Sequence, residues 1–426
     1  MKKNRLRLNK KGIVILIGLI CLFISSIKLN AQNYNNEKKI RLDLSNAVGG
    51  TVSQYAEKVN FFTFESGKES SFGNIDQLEM TKDYFIILDR ETKAILVFTR
   101  DGKFHSKIEG TKINAQHPQI YSFYFDREKN LIELNYPNCE FVFDIDGKLV
   151  SKNKHVNPIK EWRGVKTYLG NDNYAYYAYS PTMPSQTDTI VGEISVFKGG
   201  LLTHKYFPYH YNQKDYGDHD WNRTLMHSDF YPAYENGEGT VYYIRSCDYN
   251  IYRLTADSLA AVYKFIFPLQ NSLPEHFRTD TSFNGKRDVY ISKNKQQVLK
   301  LGNFYKDSAN LYFRTVTGGY SAPSYIYNTR TGKLVCINKI VSDPLSYFLP
   351  VTDSEIGGVD FSNYGIINYD GTYLYTAYAS LALFIQMEAN KKKHVRYPTE
   401  LSMYFKDPKN RKGNPVLVQI KFKHEL

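Results

Sequence analysis

Residues Tyr84–Ile108, YFIILDRETKAILVFTRDGKFHSKI, carry a pattern that weaker copies repeat to the end of the chain. Tyr84 to Leu88 form a continuous apolar run closed by Asp89, and Ala94 to Phe98 form a second run after the polar Arg90-Glu91-Thr92-Lys93 break. Short apolar runs bounded by turn residues are how strands buried on both faces read. Asp101-Gly102 supplies a pair that tolerates positive φ, and Phe104 to Ile108 then alternates apolar and polar, as a strand with one wetter face does. Three strands joined by short turns make a meander.

The turn defines the repeat. Val97–Phe104, VFTRDGKF, is matched closely by Val142–Leu149, VFDIDGKL. Val196–Leu201 (VFKGGL) shortens the turn, Ile251–Leu259 (IYRLTADSL) replaces its glycine, and Ile326–Leu334 (IYNTRTGKL) adds a residue. The aromatic positions 98, 143, 197, 252 and 327 are separated by 45, 54, 55 and 75 residues, at or above the about 40 to 50 of propeller blades, so the excess is assigned to loops. Gly365 to Tyr369 and Tyr373 to Ala379 supply strands for one more unit. The expected fold is therefore all-β, a six-bladed β-propeller. Composition agrees, because 36 Tyr and 26 Phe without helical heptads favour many short strands. The expected exception is Ala377–Lys393, AYASLALFIQMEANKKK, whose composition and lysine-rich end suit a short helical insertion rather than a further strand.

Two strand-like segments lack a neighbour in sequence, Lys39–Leu44 (KIRLDL) and Pro415–Phe422 (PVLVQIKF). Pairing them in one blade would close the ring without an open edge. Residues 32–426 are accordingly expected to form a single propeller domain closed by its N- and C-terminal strands. Val59–Phe64, VNFFTF, reads as another strand.

Met1 to Gly12 is basic, Ile13 to Ile27 is mostly apolar, and Leu29-Asn30-Ala31 before Gln32 has the form of a signal-peptidase site, so residues 1–31 read as a signal peptide. The apolar run is short for a membrane span of about 20 residues, and no transmembrane segment is expected after cleavage. Gly18-Leu19-Ile20 before Cys21 has neither the Leu at −3 nor the small residue at −1 of a lipidation box. Of the formal charge of +12, seven come from residues 1–31 and a net seven from residues 391–426, which leaves −2 for the segment between. A near-neutral body with a basic C-terminal skirt is not a nucleic-acid-binding surface. Cys139, Cys247 and Cys336 are far apart and outside any CxxC, so free thiols buried on strands are expected, with room for one bridge at most.

Taken together, Arg41-Leu42-Asp43-Leu44, Val59–Glu65, DYFIILD and VFTRDGKF in the first blade, IYRLTADSLAAVYKFIF followed by SLPEHF in the fourth, and the closing NPVLVQIKFK resemble the six-bladed propellers exported by Bacteroidetes, relatives of the NHL-repeat propellers. The resemblance runs from about Ile40 to Phe422 and implies the propeller fold and export to the periplasm or cell surface of a Gram-negative bacterium. Many relatives have a Gly-rich loop after the first DGK turn. Here Glu109–Pro118 reads EGTKINAQHP, so nothing about that loop carries over.

The chain has no HExxH, GxSxG or Walker-type motif. Its densest polar segment, His204 to His227, holds four of the ten histidines with Asp215, Asp218, Asp220 and Trp221. In an extended segment Asp218-His219-Asp220 would alternate sides, so metal ligation is not favoured and no cofactor is expected. The sharper reading is a binding loop, with His219, Asp220, Trp221, His227 and Trp162 as binding residues; the plainer one is a solvated insertion. Trp162, Tyr168, Trp221 and the tyrosines of Tyr174–Tyr179 suit sugar faces, although strands also favour such rings for packing. The expected function is non-catalytic recognition of a glycan, peptide or protein partner at a propeller face. The alternative is a lactonase-like or lyase-like propeller enzyme with a metal in its central channel.

Overall fold

The computed structural model describes residues 37–136, 139–154, 166–177, 190–210, 229–233, 239–283, 285–319, 323–351 and 365–426. Three strands come first: β1 Lys38–Arg41, β2 Val48–Thr51 and β3 Ala56–Phe62. Blade 1 is β4 Gln77–Met80, β5 Tyr84–Asp89, β6 Ala94–Thr99 and β7 Phe104–Glu109. Blade 2 is β8 Tyr124–Asp126, β9 Leu131–Tyr136, β10 Cys139–Asp144 and β11 Leu149–Lys154. Blade 3 is β12 Lys166–Tyr168, β13 Asn173–Tyr177, β14 Ile190–Lys198 and β15 Leu201–His210. Blade 4 is β16 Asp229–Pro232, β17 Val241–Ile244, β18 Asn250–Leu254 and β19 Leu259–Ile266; blade 5 is β20 Val298–Lys306, β21 Asn310–Thr317, β22 Ser324–Asn328 and β23 Leu334–Val341. Blade 6 takes β24 Asn368–Tyr369, β25 Leu374–Tyr378 and β26 Val416–Phe422 from the C-terminal part and β3 from the N-terminal part. These are the six blades expected, with the five recognised turns each joining the third and fourth strands of blades 1 to 5.

Blade 1 shows why its apolar runs are unbroken. Phe85, Ile87, Leu96 and Phe98 belong to a cluster shared with Tyr375, Ala377 and Leu417 of blade 6, whereas Ile86, Leu88, Ile95 and Val97 belong to one shared with Phe125, Ile132 and Leu134 of blade 2. Alternate residues thus face different neighbouring blades, and both faces are dry. The turn that follows admits only glycine at its second position. Gly102 has φ 83, and a Cβ there would stand 2.0 Å from the Thr63 carbonyl oxygen.

The ring closure differs from the pairing expected. β26 pairs antiparallel with β25 on one side and with β3 on the other, in the register Val418↔Phe61 and Ile420↔Val59. The N-terminal side of the closure is therefore Ala56–Phe62, which overlaps the strand read at Val59–Phe64 but begins three residues earlier. Lys39–Leu44 lies elsewhere: β1 runs parallel to β19 on the outer edge of blade 4, with Ile40 opposite Phe265. Ile40 and Leu42 are 2% and 3% exposed there, so the segment gains its burial from blades 4 and 5 rather than from β26. β2 continues the strap as a parallel strand on β23 of blade 5.

The insertion near the C-terminus is helical but shorter at its start than Ala377. Ala377 and Tyr378 complete β25, an α-helix spans Ser380–Ala389, and a 3-10 turn covers Asn390–Lys393. A second helix, Thr399–Lys406, which composition did not announce, packs Leu401 and Tyr404 inward. The three cysteines are free: Cys336 is buried on β23, Cys139 is half-buried on β10, and Cys247 sits off any strand in the connection after β17 with φ 55.

Candidate functional site

Successive strands within a blade run antiparallel, so the first-to-second and third-to-fourth turns lie at one face of the ring. The second-to-third connections and those between blades leave from the other. The first set is short, for example 81–83, 100–103, 127–130, 145–148, 199–200 and 307–309. The second set contains 63–76, 110–123, 155–165, 178–189, 211–228, 267–297, 342–367 and 379–415. The long connections therefore almost all leave the blades from strand ends at one face, the usual place for function on a rigid scaffold.

The best-built polar centre borders that face, between blades 3 and 4. Glu193 near the start of β14 is 5% exposed. Its carboxylate accepts from the Tyr243 hydroxyl at 2.7 Å, from Arg245 Nε and Nη2 at 3.1 and 2.9 Å, and from Arg278 Nη2 at 3.0 Å. Burial alone would push the Glu193 carboxyl up, but Arg278 and Arg245 outweigh it and hold the group at about 2. Arg245 also lies 3.7 Å from Asp248, which accepts from the Tyr252 hydroxyl at 2.7 Å, and its guanidinium stands 3.8 Å from the Phe207 ring centroid. The backbone explains the arrangement. Phe207 adopts φ 51, and the adjacent residues Tyr206 and Phe207 both pack toward blade 4. Opposite them Glu193 and Ile194 do the same, which breaks the alternation of a regular strand pair and turns Glu193 toward the arginines.

The connection 267–297 is held by the same charges. Arg278 Nη1 donates to the Ser246 carbonyl at 2.9 Å, and Arg287 in the helix Arg287–Lys293 donates to the carbonyls of Phe277 at 3.1 Å and Asp280 at 2.8 Å. Cys247 lies beside this network, and burial pushes its thiol up to about 12, so it is a protonated structural thiol.

A second polar centre separates blades 2 and 3. Lys166 Nζ lies 2.7 Å from Glu133 and 3.6 Å from Glu140, with the Tyr124 and Tyr174 ring centroids at 5.3 and 5.2 Å. Burial pulls the ammonium down, yet Glu133 and its neighbours overcome this and raise it, so the cation persists. Tyr124 packs against Tyr168 at 6.1 Å, and burial pushes the Tyr176 hydroxyl up to about 12. Among the described residues this interface carries no apolar cluster, whereas the other five do. On the short-turn face a depression of about 510 Å³ is lined by Lys82, Asp83, Tyr84, Phe125, Arg127 and Asn130.

His219, Asp220, Trp221, His227 and Trp162, expected as binding residues, lie outside the described residues. Tyr168 and Tyr174 are described and pack between blades 2 and 3. Among the described residues no group of three or more His, Cys, Asp and Glu is placed to hold a metal ion. Glu193, Arg245 and Arg278 were not singled out from the sequence, since they stand 52 and 85 residues apart in pairs and share no local motif. The one nearby mark is Ser272–Phe277, SLPEHF, which directly precedes Arg278.

A family model described as "6-bladed beta-propeller", DUF5128, matches residues 30–347. Among solved structures, a protein of Bacteroides fragilis NCTC 9343 described as exported aligns at 13% identity and TM-score 0.61, over 91% of this chain and 100% of that one. A member of the DUF4221 family from Bacteroides vulgatus aligns at 10% identity and TM-score 0.43, over 86% and 97%. A streptogramin B lyase aligns at 9% identity and TM-score 0.39, over 87% and 99%. At 13% identity the likeness to the Bacteroides fragilis protein is one of fold. Comparison with curated proteins finds no match.

Proposed function

The chain belongs to the DUF5128 family of six-bladed β-propellers, and on that premise we propose that it is an exported, non-catalytic recognition protein whose long-connection face binds a glycan, peptide or protein partner. The observation that carries the reading is the one-sided distribution of its connections. A ring that needed only to be stable would have no reason to lengthen one set of turns and trim the other. The Glu193 network supports it, because it fixes the root of the 267–297 connection to blades 3 and 4 with charge-assisted hydrogen bonds, as a preorganised site requires. The segments that contain Trp162 and His219 to His227 join blades 2, 3 and 4 in the same set of connections. Export is supported by the form of residues 1–31 and by the exported Bacteroides protein of like fold.

The test is a glycan and peptide array probed with the protein as recovered from the exported fraction of expressing cells. Binding is expected to fall at least about tenfold, roughly 1.4 kcal/mol, when Trp162 and Trp221 are replaced by Ala. It should be unchanged when Lys103 and Lys148 on the short-turn face are. Binding that survives the first pair and fails with the second would place recognition on the opposite face. Turnover of an array compound instead of retention would replace recognition with catalysis.

A further inference from the structure

Beyond residue 31 the net charge of this molecule is concentrated in one structural unit. The helical insertion between β25 and β26 carries Lys391, Lys392, Lys393, Arg396, Lys406, Lys409, Arg411 and Lys412 against Glu388, Glu400 and Asp407. The unit is well built. Ala382, Leu383, Phe384, Leu401 and Tyr404 are buried in the main apolar cluster, the Tyr404 hydroxyl donates to Ser380 at 2.6 Å, and Asn390 donates to the Phe348 carbonyl at 2.8 Å. Asn414 ties its exit to the 63–76 connection by donating to the Glu65 and Ser70 carbonyls. The insertion is therefore a fixed part of the long-connection face.

Its basic side chains point away from that packing. Lys391, Lys392, Lys393, Arg396, Lys406, Lys409 and Lys412 are all exposed. Arg411 pairs with Glu388 at 2.6 Å and Lys393 lies 4.2 Å from the Phe348 ring centroid. Asp407 is engaged by the Lys409 backbone N–H. Among the described residues Lys391, Lys392, Arg396, Lys406, Lys409 and Lys412 have no carboxylate within ion-pair distance. Cations at a helix C-terminus are ordinary, and Lys391 to Lys393 and Lys406 follow or end helices in that way. That accounts for one or two charges at each end. It does not account for a net excess of five in a unit where the rest of the chain beyond residue 31 is close to neutral.

We propose that this insertion docks the protein on an anionic phospholipid surface. Three features favour that partner. The charges are mostly lysine ammoniums, point charges suited to many scattered phosphates rather than to one ligand held in a fork. Lys391 to Lys393, Lys406, Lys409 and Lys412 stand on exposed helical turns and Arg396 on the exposed link between them, a spread suited to a broad complementary surface. Met403, 64% exposed on the helix Thr399–Lys406 and three residues before Lys406, adds an apolar contact for the headgroup boundary beside that lysine. The proposal uses residues distinct from those of the ligand reading, and either can fail alone.

The test is co-sedimentation of the exported protein with vesicles of phosphatidylglycerol and phosphatidylcholine. Vesicles of phosphatidylcholine alone report any contribution of the apolar N-terminal segment. Binding to the anionic vesicles is expected, with a loss of at least about tenfold near 1 M salt, where screening reaches about 3 Å. A similar loss is expected in a variant with Lys391→Glu, Lys392→Glu, Lys406→Glu, Lys409→Glu and Lys412→Glu. Gln at the same five positions should give an intermediate loss, and its melting curve checks that the insertion remains folded. Salt-insensitive binding, equal binding by the Glu variant, or absence of binding overturns the proposal. Capture by soluble polygalacturonate without vesicle binding also overturns it and assigns the patch to acidic polysaccharide.

Discussion

Replacing Glu193 by Gln would remove one negative charge and leave two guanidiniums, Arg245 and Arg278, in a nearly dry site built around it. Breaking a buried ion pair from one side costs about 3–5 kcal/mol, because the remaining charge keeps its desolvation penalty, and chemical denaturation should show a loss of that order. The pH dependence follows from the same neighbours. The folded carboxyl sits at about 2 against an ordinary 4.5. A lowered folded pKa gives stability that is complete above the unfolded value and is lost as pH falls from about 4.5 toward 2. The difference in stability between wild type and Glu193→Gln should therefore shrink across that window and be constant above it. Tyr243→Phe, which removes one hydrogen bond to a charged group, should cost about 1.5–3 kcal/mol. None of this is visible in sequence order. Glu193 stands in VGEIS, an unremarkable strand start, and its role depends on a local break in alternation opposite Phe207 that leaves no compositional trace.

At the scale of elements, the two N-terminal contributions should separate cleanly. β26 is flanked by β25 and β3, and Val416, Leu417 and Val418 are fully buried, so deleting Pro415–Leu426 divides blade 6 and exposes both of its halves. Calorimetry should show loss of the cooperative transition rather than a small shift. Beginning the chain at Val52 instead removes β1 and β2 but keeps the closure. That protein should melt lower yet still in one transition, and it should aggregate more readily because the outer edges of β19 and β23 are uncovered. The strands themselves were readable from their turns and apolar runs, and the closing strand was recognisable as one in need of a partner. Its partner was not. KIRLDL alternates as a half-buried strand must, but alternation says nothing about whether the neighbour is parallel β19 or antiparallel β26. The second insertion helix was hidden for a similar reason, since Thr399–Lys406 is short and buries only Leu401 and Tyr404.

Across the whole molecule, the interface between blades 2 and 3 should open first. Blades 4, 5 and 6 share one continuous apolar cluster, whereas blades 2 and 3 meet through Lys166, Glu133, Glu140 and tyrosines. Paired charges gain little from leaving water, and local opening follows low apolar contact. Hydrogen exchange should therefore be faster in β8 and β12 than in β21 and β22. The six-fold plan was legible because blades 1 to 5 repeat one turn and the strands left over make a sixth, and the recognition face was not, because connections of unequal length have no repeat to read. The strap and the closure also order events in time. β1 waits for β19, where Lys38 meets Tyr263; β2 waits for β23; and Asn60 of β3 reaches Gln419 across 359 positions. β1 and β2 thus wait until blades 4 and 5 are made, and β3, an early strand, is paired only once the trailing β26 exists. In refolding from denaturant the whole chain is present, but the same long-range pairings must close, so it should run on the slow, millisecond-to-second side of the range for non-local sheets.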